Sequence, residues 1–171
     1  MTSSIEEVHG IEHITPLDFH YAENFGYRIK PMALAVKTNA TVDAYVGPAL
    51  IKQNHVLASA HDALNAVYLS CKALGPLFLY GQGAGMLPTA VSVVGDIVEV
   101  GRNLLARASG RTAPLAVRTS DRKGMTLATP GTLGRAHYLR FTVTDKPGVL
   151  GQIATKLGTS GVSIQRVVQD A

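Results

Sequence analysis

The segment that most limits how this chain can fold is a glycine-rich turn between an apolar strand-like stretch and an apolar helix-like stretch. It reads Tyr80-Gly-Gln-Gly-Ala-Gly-Met-Leu-Pro-Thr-Ala90. Glycines let backbone N–H groups approach a ligand closely, and Pro88 fits the first turn of a helix. Alternating glycines serve tight packing of a strand against a helix equally well, so the pattern leaves both roles open. The dinucleotide fingerprint G-x-G-x-x-G is not present, because Met86 replaces its third glycine.

The composition is that of a globular chain. Of its 171 residues, 46% are hydrophobic and 16% are charged, and this length corresponds to about one domain or slightly more. The net charge is +4, but the basic residues are scattered, and their densest run, residues 118–123, has no interleaved aromatic side chains. We therefore expect no nucleic-acid partner. The single cysteine, Cys71, indicates a reduced, cytoplasmic protein, and we expect this residue in the core.

Several kinds of site are excluded by pattern. Residues 73–95 carry no charge and are long enough to cross a bilayer, but prolines and glycines interrupt them, so we expect no membrane span. The N-terminus shows no secretory signal pattern. The six histidines have no metal-ligand spacing, and no serine or cysteine nucleophile arrangement can be assigned. The sequence therefore predicts no metal site and no catalytic residue.

Local patterns predict an α+β fold, a two-layer arrangement in which helices cover one face of a mixed β-sheet. Thr15-Pro16 begins a short helix, and Gly26 ends it. Strands follow over residues 27–37 and 41–46. Pro31 lies inside the first strand and places it at a sheet edge or bulge, because proline cannot donate to a β-ladder.

Further strands over residues 65–70 and 77–80 lead into the glycine-rich turn. Residues 88–108 then form a long helix whose polar side chains make one narrow stripe, so we expect it to be mostly buried. Residues 109–135 are rich in glycine, proline, serine and threonine and are predicted to be a linker. Residues 136–171 read as strand, turn, helix and strand, which is a partial ferredoxin-like βαβ unit.

Taken in order along the chain, several short motifs resemble the homoserine dehydrogenase family, in the monofunctional form that ends in an ACT domain. The resemblance identifies residues 1–108 as the C-terminal part of the family's substrate and dimerisation domain. The matching motifs are Gly10-Ile11, Ile14-Thr-Pro-x-Asp18, Phe25-Gly-Tyr-Arg-Ile-Lys30, Pro48-x-Leu50, His55-x-Leu-Ala58, Asn65-Ala-Val67, Tyr80-Gly-x-Gly-Ala-Gly-x-x-Pro-Thr-Ala90 and Val94-Gly-Asp96.

The resemblance implies an enzyme that interconverts aspartate semialdehyde and homoserine with NADP or NAD, in threonine and methionine biosynthesis. The family's Rossmann domain and its catalytic Asp-x-x-x-Lys helix precede this region, and neither is present in this sequence. That missing N-terminal domain would bind most of the cofactor, so we expect this chain alone to be inactive. The resemblance further implies a homodimer and assigns three cofactor-binding residues here, namely Gly83, Ala84 and Gly85.

Residues 136–171 resemble the start of an ACT domain, a regulatory module that binds amino acids, through the run Arg140-Phe-x-Val-x-Asp-Lys-Pro-Gly-Val-Leu-Gly-x-Ile-Ala154. By that resemblance the effector, for instance threonine, would be bound by Asp145, Lys146, Pro147 and Gly148. A plain tight turn explains the same four residues equally well. The competing function is a non-catalytic module of ACT type that binds an amino acid or another protein.

Overall fold

The computed structural model describes residues 7–38, 40–108, 119–121, 124–129, 131 and 134–169. The structure combines helices with one mixed sheet and one antiparallel pair of strands, which confirms the predicted α+β class. The helices are α1 (Pro16–Asn24), α2 (Met86–Leu105) and α3 (Val149–Thr159). The strands are β1 (Tyr27–Lys37), β2 (Thr41–Lys52), β3 (Leu64–Cys71), β4 (Gly75–Gln82) and β5 (Thr126–Leu127), with short 3-10 helices at Val56–Ser59 and Thr119–Asp121.

Helix α1 begins and ends where the sequence predicts. Thr15 is the N-cap in extended conformation, and its backbone N–H donates to the Asp18 carboxylate at 2.8 Å. Pro16 occupies the first helical position, where no N–H is needed. Gly26 follows the helix with φ +80°, a left-handed conformation that favours glycine and stops the helix. Ala22 is the fully buried apolar residue of α1.

The first sheet has the strand order β1-β2-β5. β1 and β2 are neighbours in this sheet, and the Thr38 N–H donates to the Thr41 carbonyl at 2.9 Å. β2 pairs with β5 in parallel through Thr41 with Thr126 and Val42 with Leu127. β1 lies at the edge of this sheet, which confirms the position that Pro31 predicts. Val8 adds a parallel bridge to β2 at Val46.

The second sheet is the antiparallel hairpin of β3 and β4, in register from Leu64 with Gln82 to Cys71 with Gly75. A three-residue turn joins the strands, and Gly75 after it has φ +77°, a left-handed conformation that favours glycine. Cys71 is exposed beside that turn, so the expectation of a core cysteine is wrong. Cys71 is the last residue of β3, next to the turn, and no helix or strand among the described residues covers it.

Helix α2 differs from its prediction. It begins at Met86 rather than Pro88, ends at Leu105, and none of its residues is buried. Its exposed large apolar side chains are Met86, Leu87, Val91, Val93, Val94, Ile97, Val98, Val100, Leu104 and Leu105. The expectation of a mostly buried helix is therefore wrong for this chain. The apolar pattern is real, but the described residues supply no layer that covers it.

The segment 134–169, which we call the tail, contains the predicted helix as α3. The flanking stretches 138–144 and 162–168 form no β-ladder among the described residues. A ferredoxin-like unit is a split βαβ, in which another strand lies between the two parallel strands. The described residues offer no strand to fill that place, so each stretch lacks its pairing partner.

Contacts divide the chain into two compact units. One contains residues 1–35, 43–53 and 129–171, and the other contains residues 36–42 and 54–128. The tail therefore belongs to the same unit as α1 and most of β1 and β2. No helix within the described ranges is long and apolar enough to cross a membrane.

Candidate functional site

The glycine turn, Gly83 to Gly85, joins the end of β4 to the start of α2. Gly85 is the N-cap of α2 and has φ +125°, a conformation that side chains with a Cβ rarely adopt. A Cβ at Gly83 would overlap the side-chain amide of Asn65 on β3. A Cβ at Gly81, by contrast, would meet no atom within 4 Å. The two requirements for glycine therefore have different causes: backbone conformation at residue 85 and close packing at residue 83.

The start of α2 presents backbone donors. The N–H groups of the first two helical residues, Met86 and Leu87, have no acceptor within the helix, as at every helix N-terminus. The Gly85 carbonyl is occupied, since it accepts from Thr89 N at 3.2 Å and from Thr89 Oγ1 at 2.7 Å. The Gly83 N–H is also occupied, since it donates to the Ala63 carbonyl at 3.1 Å. Such a helix start favours an anionic or carbonyl group of a ligand.

The predicted effector residues 145–148 lie in an exposed turn directly before α3. Gly148 is the N-cap of α3 with φ +88°, and its carbonyl accepts from Gln152 N at 3.0 Å. A shallow, open groove begins at Gly148 and runs along one face of the helix. It is lined by Gly148, Gly151, Gln152, Thr155, Lys156 and Thr159. Of the four predicted residues, Gly148 lines this groove.

A buried carboxylate joins α1 to the tail, and the sequence did not reveal this pairing. Asp18 is 3% exposed. Its Oδ1 lies 2.8 Å from Arg140 Nε and accepts from the Tyr138 hydroxyl at 2.9 Å. Its Oδ2 accepts from Thr15 N at 2.8 Å and from Thr15 Oγ1 at 2.7 Å. We call these four residues the Asp18 cluster.

The Asp18 cluster changes the acidity of its members. Burial raises the pKa of Asp18, but the hydrogen bonds from Thr15 and Tyr138 and the positive charge of Arg140 outweigh it, so the pKa lies below its ordinary value. Burial and the neighbouring Asp18 carboxylate raise the pKa of Tyr138 to about 12. At neutral pH the carboxylate is therefore charged and the phenol is a hydrogen-bond donor. This chemistry fits a structural junction rather than a general acid or base.

A second ionic cluster lies on β2. Arg135 donates to Glu7 Oε1 at 2.6 Å and to Asp43 Oδ1, and its guanidinium lies 5.0 Å from the centre of the Tyr45 ring. Asp43 is 2% exposed, and its Oδ2 is buried with no partner in the described part of the chain. Burial raises the pKa of Tyr45, as does Glu7, while Arg135 opposes them. The tail is thus fixed to the sheet at Arg135 as well as to α1 at Arg140.

The tail makes one more long-range contact. Arg166, beyond α3, donates through Nη1 to the Phe25 carbonyl at 2.8 Å, and Phe25 is the C-cap of α1. A guanidinium at the end of a helix satisfies a free carbonyl and complements the helix dipole. Arg140 and Arg166 are respectively 122 and 141 positions from their partners, so no local pattern could pair them.

No group of three or more histidine, cysteine, aspartate or glutamate residues could hold a metal ion among the residues that the structure describes. The predicted turn residues 83–85 and 145–148 belong to different compact units. The ionic clusters around Asp18 and Arg135 occupy buried junctions rather than a cleft. The described residues therefore offer a backbone-donor turn and a groove, whereas the charged groups of the two ionic clusters are engaged in structure.

Comparisons with known proteins agree on one family. The model of the homoserine dehydrogenase family matches residues 2–98. Homoserine dehydrogenase of Neisseria gonorrhoeae is 36% identical over 160 residues, which cover 94% of this chain and 37% of the relative. That of Mycobacterium leprae is 38% identical over 166 residues, covering 94% and 36% respectively.

A solved structure shows the same arrangement. The crystal structure of a homoserine dehydrogenase from Thiobacillus denitrificans matches with a TM-score of 0.75 and 32% identity, over 96% of this chain and 38% of that chain. The chain thus spans a little over a third of the length of the relatives it matches. Both the sequence match and the fold lead to one conclusion: this chain belongs to the homoserine dehydrogenase family.

Proposed function

We propose that this chain forms the substrate and dimerisation domain, with the beginning of a regulatory module, of an enzyme that interconverts aspartate semialdehyde and homoserine with NADP or NAD. The observation that carries this proposal is the glycine turn at the start of α2, in a chain of which 94% aligns with homoserine dehydrogenases. The turn would contact the cofactor near its nicotinamide end. The hydride-transfer groups would come from the part of the enzyme that precedes this segment.

The geometry of the turn supports this role. A Cβ at residue 83 would overlap the Asn65 side-chain amide, and φ +125° favours glycine at residue 85, so both positions suit glycine. Backbone without side chains beside a helix N-terminus lets a ligand group approach the N–H donors closely. Within this picture Ala84 and Gly85 present the contacting atoms, and Gly83 acts through its position, since its N–H is already used.

The uncovered surface of α2 supports a longer enzyme. Ten large apolar side chains of α2 are exposed, with Met86 at 90% and Leu105 at 89%. Contiguous apolar surface of this kind marks an interface in a soluble protein. We propose that residues of the enzyme outside this chain cover α2, and that the exposed sheets serve association of two copies in the cytoplasm.

A segment exchange tests the proposal. Residues 9–108 of this chain would replace the aligned segment of the Neisseria gonorrhoeae homoserine dehydrogenase. The expected result is NADPH-dependent reduction of aspartate semialdehyde by the chimera and no turnover by the 171-residue chain. In the chimera, Gly85→Ala should raise the KM for NADPH about tenfold, because a strained or shifted turn loses about 1–2 kcal/mol of binding.

Gly81→Ala is the matched control, since a Cβ there meets open space and the residue lies only four positions from Gly85. It should leave the KM for NADPH within about twofold of the parent chimera, a difference of about 0.4 kcal/mol. A chimera that folds and binds NADPH but reduces no aspartate semialdehyde would contradict the proposed reaction. Equal effects of Gly85→Ala and Gly81→Ala would contradict the assigned role of the turn.

The tail supports an added regulatory role. Gly148 opens the groove on α3, and the groove carries one cation, Lys156, beside hydroxyl and amide groups that suit a zwitterionic amino acid. We propose threonine as the ligand. Calorimetry should show saturable binding of threonine by the 171-residue chain, and this binding should be lost in Lys156→Gln and retained in Arg102→Gln. If the chain binds threonine in this way but the chimera is inactive, the alternative of a stand-alone amino-acid-binding module is favoured. Absence of saturable binding would contradict the regulatory role.

A further inference from the structure

Helix α1 is contacted at both ends by arginines of the tail. Near its N-terminus, Arg140 Nε lies 2.8 Å from Oδ1 of Asp18. At its C-terminus, Arg166 Nη1 donates to the Phe25 carbonyl at 2.8 Å. Arg140 precedes α3 and Arg166 follows it, so the two stretches that flank α3 each hold one end of the same helix. Asp18 and Phe25 are seven residues apart, which is about 10 Å along a helix.

The stability of α1 depends on these contacts. The helix has nine residues, fewer than an isolated helix needs to be stable in water. Ala22 is its fully buried apolar side chain, and Leu17 and Phe19 are 43% and 49% exposed. The two large apolar side chains are thus only partly covered, and the polar contacts at the two ends add to the stability of the helix. A change in the tail that moves either arginine weakens α1 directly.

Helix α1 is also fixed to the sheet. Gly26 follows Phe25, the C-cap of α1, and its carbonyl accepts from Gln53 N at 3.0 Å, just beyond the end of β2. β1 begins at the next residue, Tyr27. Partial unfolding of α1 would therefore affect the start of β1 through the Gly26–Tyr27 peptide, and the end of β2 through the hydrogen bond from Gln53 N to the Gly26 carbonyl.

We infer that α1 couples the conformation of the tail to that of the β1–β2 sheet. A rearrangement around α3 changes the order of α1, and, because coupling is reciprocal, a change in α1 affects the tail to the same degree. This coupling is a property of the contacts at Arg140 and Arg166. It holds whatever ligand the tail binds and whether or not the glycine turn contacts a cofactor.

Hydrogen exchange in the 171-residue chain tests the inference without a ligand. Gly148→Ala perturbs the start of α3 through backbone strain alone, since φ is +88° and a Cβ would meet no atom within 4 Å. Gly75→Ala is the matched control, with φ +77°, the same open space, and a place at the start of β4, directly after the β3–β4 turn. Gly148→Ala should speed exchange of the α1 amides about five- to tenfold, and Gly75→Ala should speed exchange in β3 and β4 while leaving α1 unchanged.

The combined variant Arg140→Gln/Arg166→Gln separates coupling from simple destabilisation. In it the α1 amides should exchange faster at the outset, and adding Gly148→Ala should change them by less than about twofold. The inference is overturned if Gly148→Ala leaves α1 exchange at the wild-type rate, or if its effect is equally large with both arginines replaced. A uniform increase over α1, β3 and β4 also overturns it, because α1 would then respond only to global unfolding.

Discussion

The contact between Arg140 and Asp18 allows a quantitative prediction. The Asp18 side chain is 4% exposed and the Arg140 side chain is 31% exposed. Fully exposed ion pairs contribute less than about 1 kcal/mol, whereas loss of one partner from a buried pair costs about 3–5 kcal/mol. After Arg140→Gln, Asp18 keeps its hydrogen bonds from Thr15 and Tyr138, so the cost lies between these limits, at about 2 kcal/mol.

Urea unfolding followed by circular dichroism measures this cost. With a slope of about 2 kcal/mol per molar urea, Arg140→Gln should lower the midpoint by about 1 M. Asp18→Asn should lower it at least as much, because it also weakens the contact with the N-cap Thr15. The double variant should be little worse than Asp18→Asn alone, which gives a coupling energy of about 1.5–2 kcal/mol.

Arg28→Gln is the control for this cycle, since Arg28 is an exposed arginine on β1 in the same compact unit. Its midpoint should stay close to that of the wild type, as for most exposed substitutions. A midpoint for Arg140→Gln that matches Arg28→Gln would refute the reasoning. So would additive effects of Arg140→Gln and Asp18→Asn, because the two side chains would then not stabilise one another.

Three further predictions concern pH and the glycine turn. The pKa of Asp18 is lowered in the folded state, so its contribution to stability is present above its unfolded pKa of about 4 and is lost as the pH falls through the lower folded value. Asp18→Asn should therefore flatten the loss of stability that urea unfolding measures as the pH falls below about 4. The pKa of Tyr138 is raised to about 12, so its contribution is full below about pH 10 and is lost as the pH rises toward 12, and Tyr138→Phe should reduce the alkaline loss in thermal melts. Gly83→Ala should lower the urea midpoint by about 1 M, because overpacking against Asn65 costs about 1–3 kcal/mol. The free energy of unfolding of the control Gly81→Ala should stay within about 0.5 kcal/mol of the wild type. Equal midpoints for these two variants would contradict the packing role of residue 83.

Local signals in the sequence were sufficient for the elements they govern. Thr15 and Pro16 place the start of α1, Gly26 places its end, and Pro31 places β1 at the sheet edge, all as the structure has them. Each of these residues acts on its own backbone or on its nearest neighbours in the chain, so a single sequence is sufficient to predict its effect. The glycine turn could be predicted only in part. The need for glycine at residue 85 comes from the local backbone conformation, whereas the contact of Gly83 with Asn65 joins residues that are far apart in the sequence.

Long-range partners could not be predicted from one sequence. Asp18 lies in the first turn of α1, which explains its position but not its burial or its pairing with Arg140. An isolated acid in a first helical turn needs no partner, because the helix dipole and the N-cap stabilise it. Arg166 likewise gives no sign that it reaches the end of α1, and only the fold brings it there.

Helix α2 shows the limit of periodicity most clearly. Its narrow polar stripe correctly indicates a helix that requires burial, yet Ile97 and Leu104 are each 65% exposed. An apolar helix face indicates that burial of that face would be favourable, by about 25 cal/mol per Å² of apolar surface removed from water. It does not indicate which residues bury the face. The tail makes the same point for strands, since residues 138–144 and 162–168 have strand-like patterns but form no ladder with any residue that the structure describes. Both cases follow from one cause: a sequence pattern specifies the kind of neighbour an element needs, but it does not say which residues supply that neighbour. The relatives that this chain matches are more than twice as long, so they contain residues that this chain does not.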